Sequence, residues 1–238
     1  MPLLLFLYSL LCMTSIAEST TLSIQEQYDL GQKYLKRGYY TKAIEQFNVI
    51  RNYYRDDPLA QLAELAIADV YFKKSEWDLA RYSYDDFRRR YPRHEKVDYA
   101  TYQVGLTFYK KAPKFSGRDQ SWTVQAVYNW QDFEKYFPES EYTQDVSEKR
   151  TECLERLAKK ELLVAEFYGR KDAWEGVRRR SEGLLQSYPD SEYIKDAYGL
   201  LVVAYWHLED PEASLLALQR LEALDSSKAE SLRKKYLE

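Results

Sequence analysis

Between Leu157 and Tyr193 the apolar positions recur at helical spacing twice over. Leu162, Ala165 and Tyr168 fall three residues apart and mark the face of a first helix. Gly169 to Asp172 interrupt the pattern with a glycine and charges. Val177, Leu184 and Tyr188 carry a second face, and Pro189 ends it, because proline has no N–H with which to continue a helix. A helix, a short turn, a second helix and a closing Tyr-Pro make one unit of a helical repeat.

The unit recurs along the chain. An aromatic-proline pair closes three segments, at Tyr91-Pro92, Phe137-Pro138 and Tyr188-Pro189. Before these prolines stand three matching sets: Ala80, Tyr84 and Phe87; Ala126, Trp130 and Phe133; Val177, Ser181 and Leu184. An earlier segment fits with Leu30, Gly31, Tyr34, Ala43 and Phe47, and a later one with Tyr205 and Leu218. This is the tetratricopeptide (TPR) pattern, a helix pair repeating about every 34 residues. The spacing predicts an all-α fold, a right-handed superhelical array of about five TPR helix pairs, near 24–57, 61–94, 98–140, 158–191 and 195–228. Units one to three form an N-terminal part, 24–140. Units four and five, with a charged capping helix from Ser226, form a C-terminal part, 141–238.

Local signals agree with this division. Ser23 with Glu26 fits a capping box that opens the first helix. Asp57-Pro58 and Asp210-Pro211 each pair a cap residue with a proline at the first helical position. The hexapeptide Tyr188 to Tyr193 echoes Phe137 to Tyr142, and its serines read as caps. Lys110 to Trp122 breaks the third unit with Pro113, Gly117 and charges, so it reads as an inserted loop between paired helices.

The first 17 residues are apolar and uncharged, and they lead into a polar linker over 18–23. They read as a secretory signal peptide, although no Lys or Arg precedes Lys33. Two processing routes compete. Ser15 and Ala17 give a small-x-small site with cleavage before Glu18. Leu-Leu-Cys ending at Cys12 gives a lipoprotein-type site, with bulky Leu11 where a small residue is usual. Either route places the chain outside the cytoplasm.

Composition narrows the function. The 23 tyrosines and 8 glycines suit packed helices whose hydroxyls reach the surface. A net charge of −3 with 31% charged residues leaves no dominant basic face, which argues against nucleic acid. Cys12 and Cys153 are the only cysteines, too few for a disulfide framework. Cys153, with Leu154 and Leu157, reads as a small buried hydrophobe. His94 and His207 lack partners at metal-ligand spacing, and no phosphate loop or nucleophile elbow is present. The chain is therefore expected to be no enzyme and to need no cofactor or metal.

Two sets of residues are candidates for binding. First-helix residues of such an array line its concave side. Tyr28, Leu65, Phe72, Tyr99 and Tyr102, with Leu35, would form an aromatic and aliphatic groove for an extended peptide, unless they pack between helices instead. Arg178 to Arg180 form the strongest basic run. Arg179 and Arg180 flank the face of Val177 and Leu184, and with Trp174 they suit a partner-binding patch. The competing reading is a solvated face paired with Glu175 and Glu182.

The chain resembles the BamD family, the outer-membrane β-barrel assembly lipoproteins of Gram-negative bacteria. The resemblance covers roughly 24–225. It rests on Tyr91-Pro92 with His94, Asp98-Tyr99 and Tyr102 with Gly105-Leu106-Thr107. It rests further on Leu157-Ala158-Lys159, Val164-Ala165-Glu166 with Tyr168, Ala173-Trp174, Arg180, Glu182-Gly183 and Tyr188-Pro189-Asp190. It implies a scaffold on the periplasmic face of the outer membrane, held there by a lipid anchor, for which Cys12 is the available residue. It implies binding to BamA and other BAM subunits through the C-terminal repeats, with Arg180 the leading contact beside Arg179 and Trp174. It implies that the N-terminal repeats receive unfolded outer-membrane β-barrel proteins on the tyrosine-lined groove. Cys12 departs from the family's usual lipobox, and the 110–122 insert is shorter than in some members. The alternative is a soluble periplasmic TPR adaptor of another envelope system, such as the Tol-Pal-linked CpoB-like proteins.

Overall fold

The computed structural model describes residues 22–237. The expected signal peptide, Cys12 and most of the 18–23 linker lie outside the described residues. Among the described residues there are twelve helices and no strand. They are α1 (Ile24–Lys36), α2 (Tyr40–Tyr53), α3 (Pro58–Lys73), α4 (Trp77–Arg90), α5 (Val97–Lys111), α6 (Ser121–Asn129), α7 (Phe133–Tyr136), α8 (Thr143–Gly169), α9 (Trp174–Ser187), α10 (Ile194–His207), α11 (Pro211–Leu224) and α12 (Ser226–Tyr236). The chain divides into two compact units, Met1–Ala63 and Glu64–Glu238. Residue 140, where the sequence suggests a division, lies within the second unit.

The helix pairs follow from a buried triad spaced i, i+4, i+7 on each second helix. Ala43, Phe47 and Ile50 are fully buried on α2, and Ala80, Tyr84 and Phe87 are buried on α4. Ala126, Trp130 and Phe133 repeat the triad across α6 and α7. Val177, Ser181 and Leu184 do so on α9, and Ser214, Leu218 and Leu221 on α11. The fifth unit keeps the triad with a serine at the small position. The Ser214 hydroxyl is satisfied by donating to the Val202 carbonyl, 2.9 Å away.

The repeat length is 37 rather than 34. Gly31, Ala68 and Gly105 occupy the same place at that interval, as do Ala165 and Val202. The tight turn within the pair explains why the register is kept. Gly38, Ser75, Asp172 and Glu209 all have positive φ, between 54° and 77°. After each, the next N–H reaches back to a tyrosine carbonyl: Tyr39 to Tyr34, Glu76 to Tyr71, Ala173 to Tyr168, Asp210 to Tyr205. This is a Schellman closure, in which a left-handed residue lets the chain turn and satisfy the last helical carbonyls. Only one of the four left-handed residues is glycine.

The third unit departs from the scheme at two places. Its two helices are joined by residues 112–120, as the Pro and Gly there predict. Gln120 holds this loop by donating to the carbonyls of Pro113 (3.3 Å) and Phe115 (3.0 Å). Arg156, 8% exposed on α8, donates to the Pro113 carbonyl as well. The second departure is α8, which begins at Thr143 and not near residue 158. Nothing between 143 and 157 breaks a helix, so it runs 27 residues and adds about four turns. The echoed serines do not cap these helices. Ser140 and Ser191 lie before the helix starts and tie each turn to an earlier element. Ser140 Oγ donates to Asp98 (2.7 Å) and Ser191 Oγ to Glu155 (2.7 Å).

The caps expected at Ser23 and Asp210 form, and Asp225 adds one more. Ser23 and Glu26 make a reciprocal capping box on α1. Asp210 accepts from the Ala213 N–H and opens α11, and Asp225 accepts from Lys228 and opens α12. Cys153 is fully buried in the core of the second unit. Burial pushes its thiol up to about 11, which keeps it protonated and inert.

Candidate functional site

Two surfaces of the second unit carry the chemistry. The first follows α5, which presents tyrosines along its length and gives each hydroxyl a carboxylate. Tyr99 Oη donates to Asp69 of α3 (2.7 Å), Tyr102 Oη to Asp145 of α8 (2.8 Å) and Tyr109 Oη to Glu152 of α8 (2.5 Å). Asp69 also accepts from the buried Tyr84 hydroxyl at 2.6 Å. Burial raises the Asp69 carboxyl above its ordinary value, and the two phenols oppose that shift. Tyr99 and Tyr102 are raised by burial first and by their acids second. Asp145 is lowered overall: burial opposes ionisation, but the Lys149 ammonium and the Tyr102 hydroxyl outweigh it.

The rings themselves form a continuous chain. Trp77 meets Phe72 at 5.0 Å, Phe72 meets Tyr84 at 6.5 Å, and Tyr84 meets Tyr99 at 6.1 Å, all edge-on. Tyr99 meets Tyr142 at 5.6 Å, and Tyr142 stacks on Tyr102 at 4.7 Å and 12°. Tyr102 in turn stacks over Trp130. Gly105 makes this possible. A Cβ there would lie 2.1 Å from Trp130 Nε1, so only glycine lets the indole cross α5 and donate to the Tyr102 carbonyl at 3.2 Å.

The expected groove residues are thus partly regrouped. Tyr99 and Tyr102 come together as half-buried faces, joined by Tyr142 and Tyr109. Phe72 continues the ring chain. Leu65 is 5% exposed and belongs to the core, because the face of α3 that carries it packs inward. Tyr28 lies in the first unit, where it packs on Phe47 at 5.6 Å and accepts from Gln32. The carboxylate partners were not foreseen. Asp69 could have been found as the lone acid in the apolar run Leu65 to Phe72.

The second surface is a groove of about 380 Å³ between α8 and α9, lined by Glu161, Tyr168, Ala173, Gly176, Arg179, Arg180 and Gly183. Glycine shapes it. The Gly176 position is covered by the Tyr168 ring, whereas a Cβ on Gly183 would meet nothing within 4 Å. Arg180 pairs with Glu161 at 2.9 Å. Arg178 is taken up by Glu175 (2.5 Å) and Glu182 (2.9 Å) on its own helix. Glu182 also accepts from Tyr205 of α10 at 2.6 Å. Among the described residues no carboxylate forms an ion pair with Arg179. The basic run therefore splits. Arg178 is the solvated, paired face, and Arg179 with Arg180 forms the groove.

Trp174 does not join them. Six residues of helix place it about 120° from Arg180, on the other flank of the buried stripe. There it stacks flat on His207, 3.8 Å between centroids and 3° between planes. Among the described residues no group of three or more His, Cys, Asp or Glu is placed to hold a metal, and no helix is long and apolar enough to cross a membrane.

Against known proteins, the YfiO family, described as outer membrane lipoprotein, matches residues 21–219. The chain belongs to that family. It is similar to the outer membrane protein assembly factor BamD of Neisseria meningitidis serogroup B, at 27% identity over 198 residues, covering 79% of this chain and 74% of the relative. The BamD of Pasteurella multocida is 29% identical over 205 residues, covering 82% of this chain and 79% of that one. Among solved structures, the TPR2AB-domain:pHSP90-complex of yeast Sti1 superposes with a TM-score of 0.46 at 13% identity, covering 89% and 83% of the two chains.

Proposed function

We propose that this chain is a non-catalytic scaffold of outer membrane protein assembly. In this reading it works on the periplasmic face of the outer membrane, binds BamA and other BAM subunits, and receives unfolded segments of β-barrel proteins. The observation that carries it is the α8–α9 groove. Arg179 faces this groove and, among the described residues, forms no ion pair, and Gly183 leaves the groove open. Such a groove suits a partner strand or loop that brings a carboxylate to a fixed place. Arg180 is the leading contact, because a guanidinium held by Glu161 is already oriented and loses little freedom on binding. Trp174 has no direct part in this contact, being set on the opposite flank.

The tyrosine face of α5 is the proposed seat for unfolded segments. Half-buried rings with fixed hydroxyls offer flat apolar contact at low entropic cost. Acylation of Cys12 is the proposed anchor, with cleavage after Ala17 the competing route.

The test is a mild-detergent pull-down of the tagged chain from native envelopes. BamA as the dominant partner supports the scaffold. Its absence, with the chain recovered in the soluble periplasm, would overturn it in favour of an adaptor. Arg180→Glu should then weaken BamA binding by roughly 2–5 kcal/mol. Unchanged binding in calorimetry would remove Arg180 from the interface.

A further inference from the structure

The first helix hairpin carries an exposed cluster that the scaffold reading does not use. Its two helices run antiparallel in a register fixed by side chains. Gln27 donates to Gln46 at 2.6 Å, and the Tyr34 and Tyr39 rings meet edge-on at 6.2 Å. Both pairs join the two helices across the hairpin, so the start of α1 lies beside the last turn of α2. The end of the hairpin where the described chain begins is therefore also the C-terminal end of α2. Tyr53 is 79% exposed there, and Tyr54 and Leu22 are each 42% exposed. Arg51 and Arg55 are exposed beside them. Of the acids at this end, Glu26 is committed to the Ser23 capping box and Asp57 to the Leu59 N–H. Asp56 is exposed.

Tyrosine, leucine and arginine in one small cluster match the chemistry of a membrane–water boundary. Phenol rings sit at headgroup depth with hydroxyls in water, and arginine reaches lipid phosphates. The chain itself says which surface this end meets. The preceding residues lead from Leu22 back to Cys12, the proposed lipid-bearing residue. If Cys12 carries the anchor, the ten residues from Met13 to Leu22 span at most about 35 Å. We propose that this end of the hairpin rests on a lipid headgroup surface. Tyr53 and Tyr54 enter the interface, and Arg51 and Arg55 meet the phosphates. The contact rests on the reading that the chain works at the outer membrane. It adds a second, protein-borne attachment that sets which way the first hairpin points from the bilayer.

The test uses the full chain with a single reporter. Tyr53→Cys is labelled with an environment-sensitive fluorophore, and Tyr128→Cys, similarly exposed at 72% but on α6, serves as the reference. The buried Cys153 thiol does not compete for label. Each protein is placed with vesicles of phosphatidylethanolamine and phosphatidylglycerol containing headgroup-proximal nitroxide lipid. The label at 53 should be quenched several-fold more than the label at 128, and Arg51→Glu with Arg55→Glu should reduce that difference. Equal quenching at both sites overturns the proposal. The vesicles contain no partner protein, so this result is independent of the pull-down. Preferential quenching without BamA in the pull-down would sink only the scaffold. Equal quenching with BamA retained would sink only the lipid contact.

Discussion

Gly105→Ala separates two opposite expectations. In an isolated helix, alanine is better than glycine by about 1 kcal/mol, so the change should stabilise α5. The packing predicts the reverse. The new Cβ would lie 2.1 Å from Trp130 Nε1 and 2.3 Å from Cε2, where ordinary contact begins near 3.4 Å. The indole must retreat by roughly 1 Å. Trp130 is 1% exposed, so it has no free volume to retreat into. Overpacking of this kind costs about 1–3 kcal/mol. Retreat also lengthens the bond from Nε1 to the Tyr102 carbonyl, worth about 1 kcal/mol. After the helix gain is subtracted, a net loss of about 1–3 kcal/mol remains. Urea unfolding followed by far-UV circular dichroism measures it. A second background checks the cause. In Trp130→Leu the obstructing ring is gone, so adding Gly105→Ala should be neutral or stabilising, a coupling of at least about 1 kcal/mol. A Gly105→Ala protein more stable than the wild type would refute the reasoning. So would equal effects in the two backgrounds.

The remaining predictions follow from the same geometry. Gly183→Ala adds a Cβ into open space on α9, so it should stabilise the fold by about 0.5–1 kcal/mol while weakening BamA binding. Thermal unfolding and calorimetry should therefore move in opposite senses, and a parallel change would count against the groove. Glu209→Gly relieves a left-handed residue at φ 59° and should raise the unfolding free energy measured in urea by about 0.5–1 kcal/mol, provided the Asp210 to Tyr205 closure is kept. Burial, then a carboxylate partner, pushes Tyr109 and Tyr205 up to about 12. An unfolded phenol loses its proton near 10, so their stabilisation is present below that pH and lost as pH rises from about 10 to 12. Alkaline titration of stability should show that loss, and Tyr205→Phe should flatten part of it.

The sequence alone determined the fold class and most of its register. The triads of Ala80, Tyr84 and Phe87 and their counterparts encode burial at i, i+4 and i+7, a signal that is local and survives without neighbours. Caps at Ser23, Asp57 and Asp210 and the loop near Pro113 are likewise local chemistry, and they were legible. The length of α8 was not, because the TPR template places a turn where this chain simply continues its helix. The sites were only partly legible, for the same reason. The sequence groups Trp174 with Arg179 and Arg180 and offers pairing with Glu175 and Glu182 as the competing reading; only the structure shows that Trp174 stacks on His207 and that Arg178 alone takes both acids. Nor does helical spacing show that Tyr99, Tyr102 and Tyr109 each meet an acid from a different helix, 30 to 43 residues away in the chain. Pairings at that range depend on how helix pairs stack. The stacking in turn depends on single choices of size, such as Gly105 beneath Trp130. Periodicity fixes which face of a helix is buried, and only the packed structure decides what that face and its flanks touch.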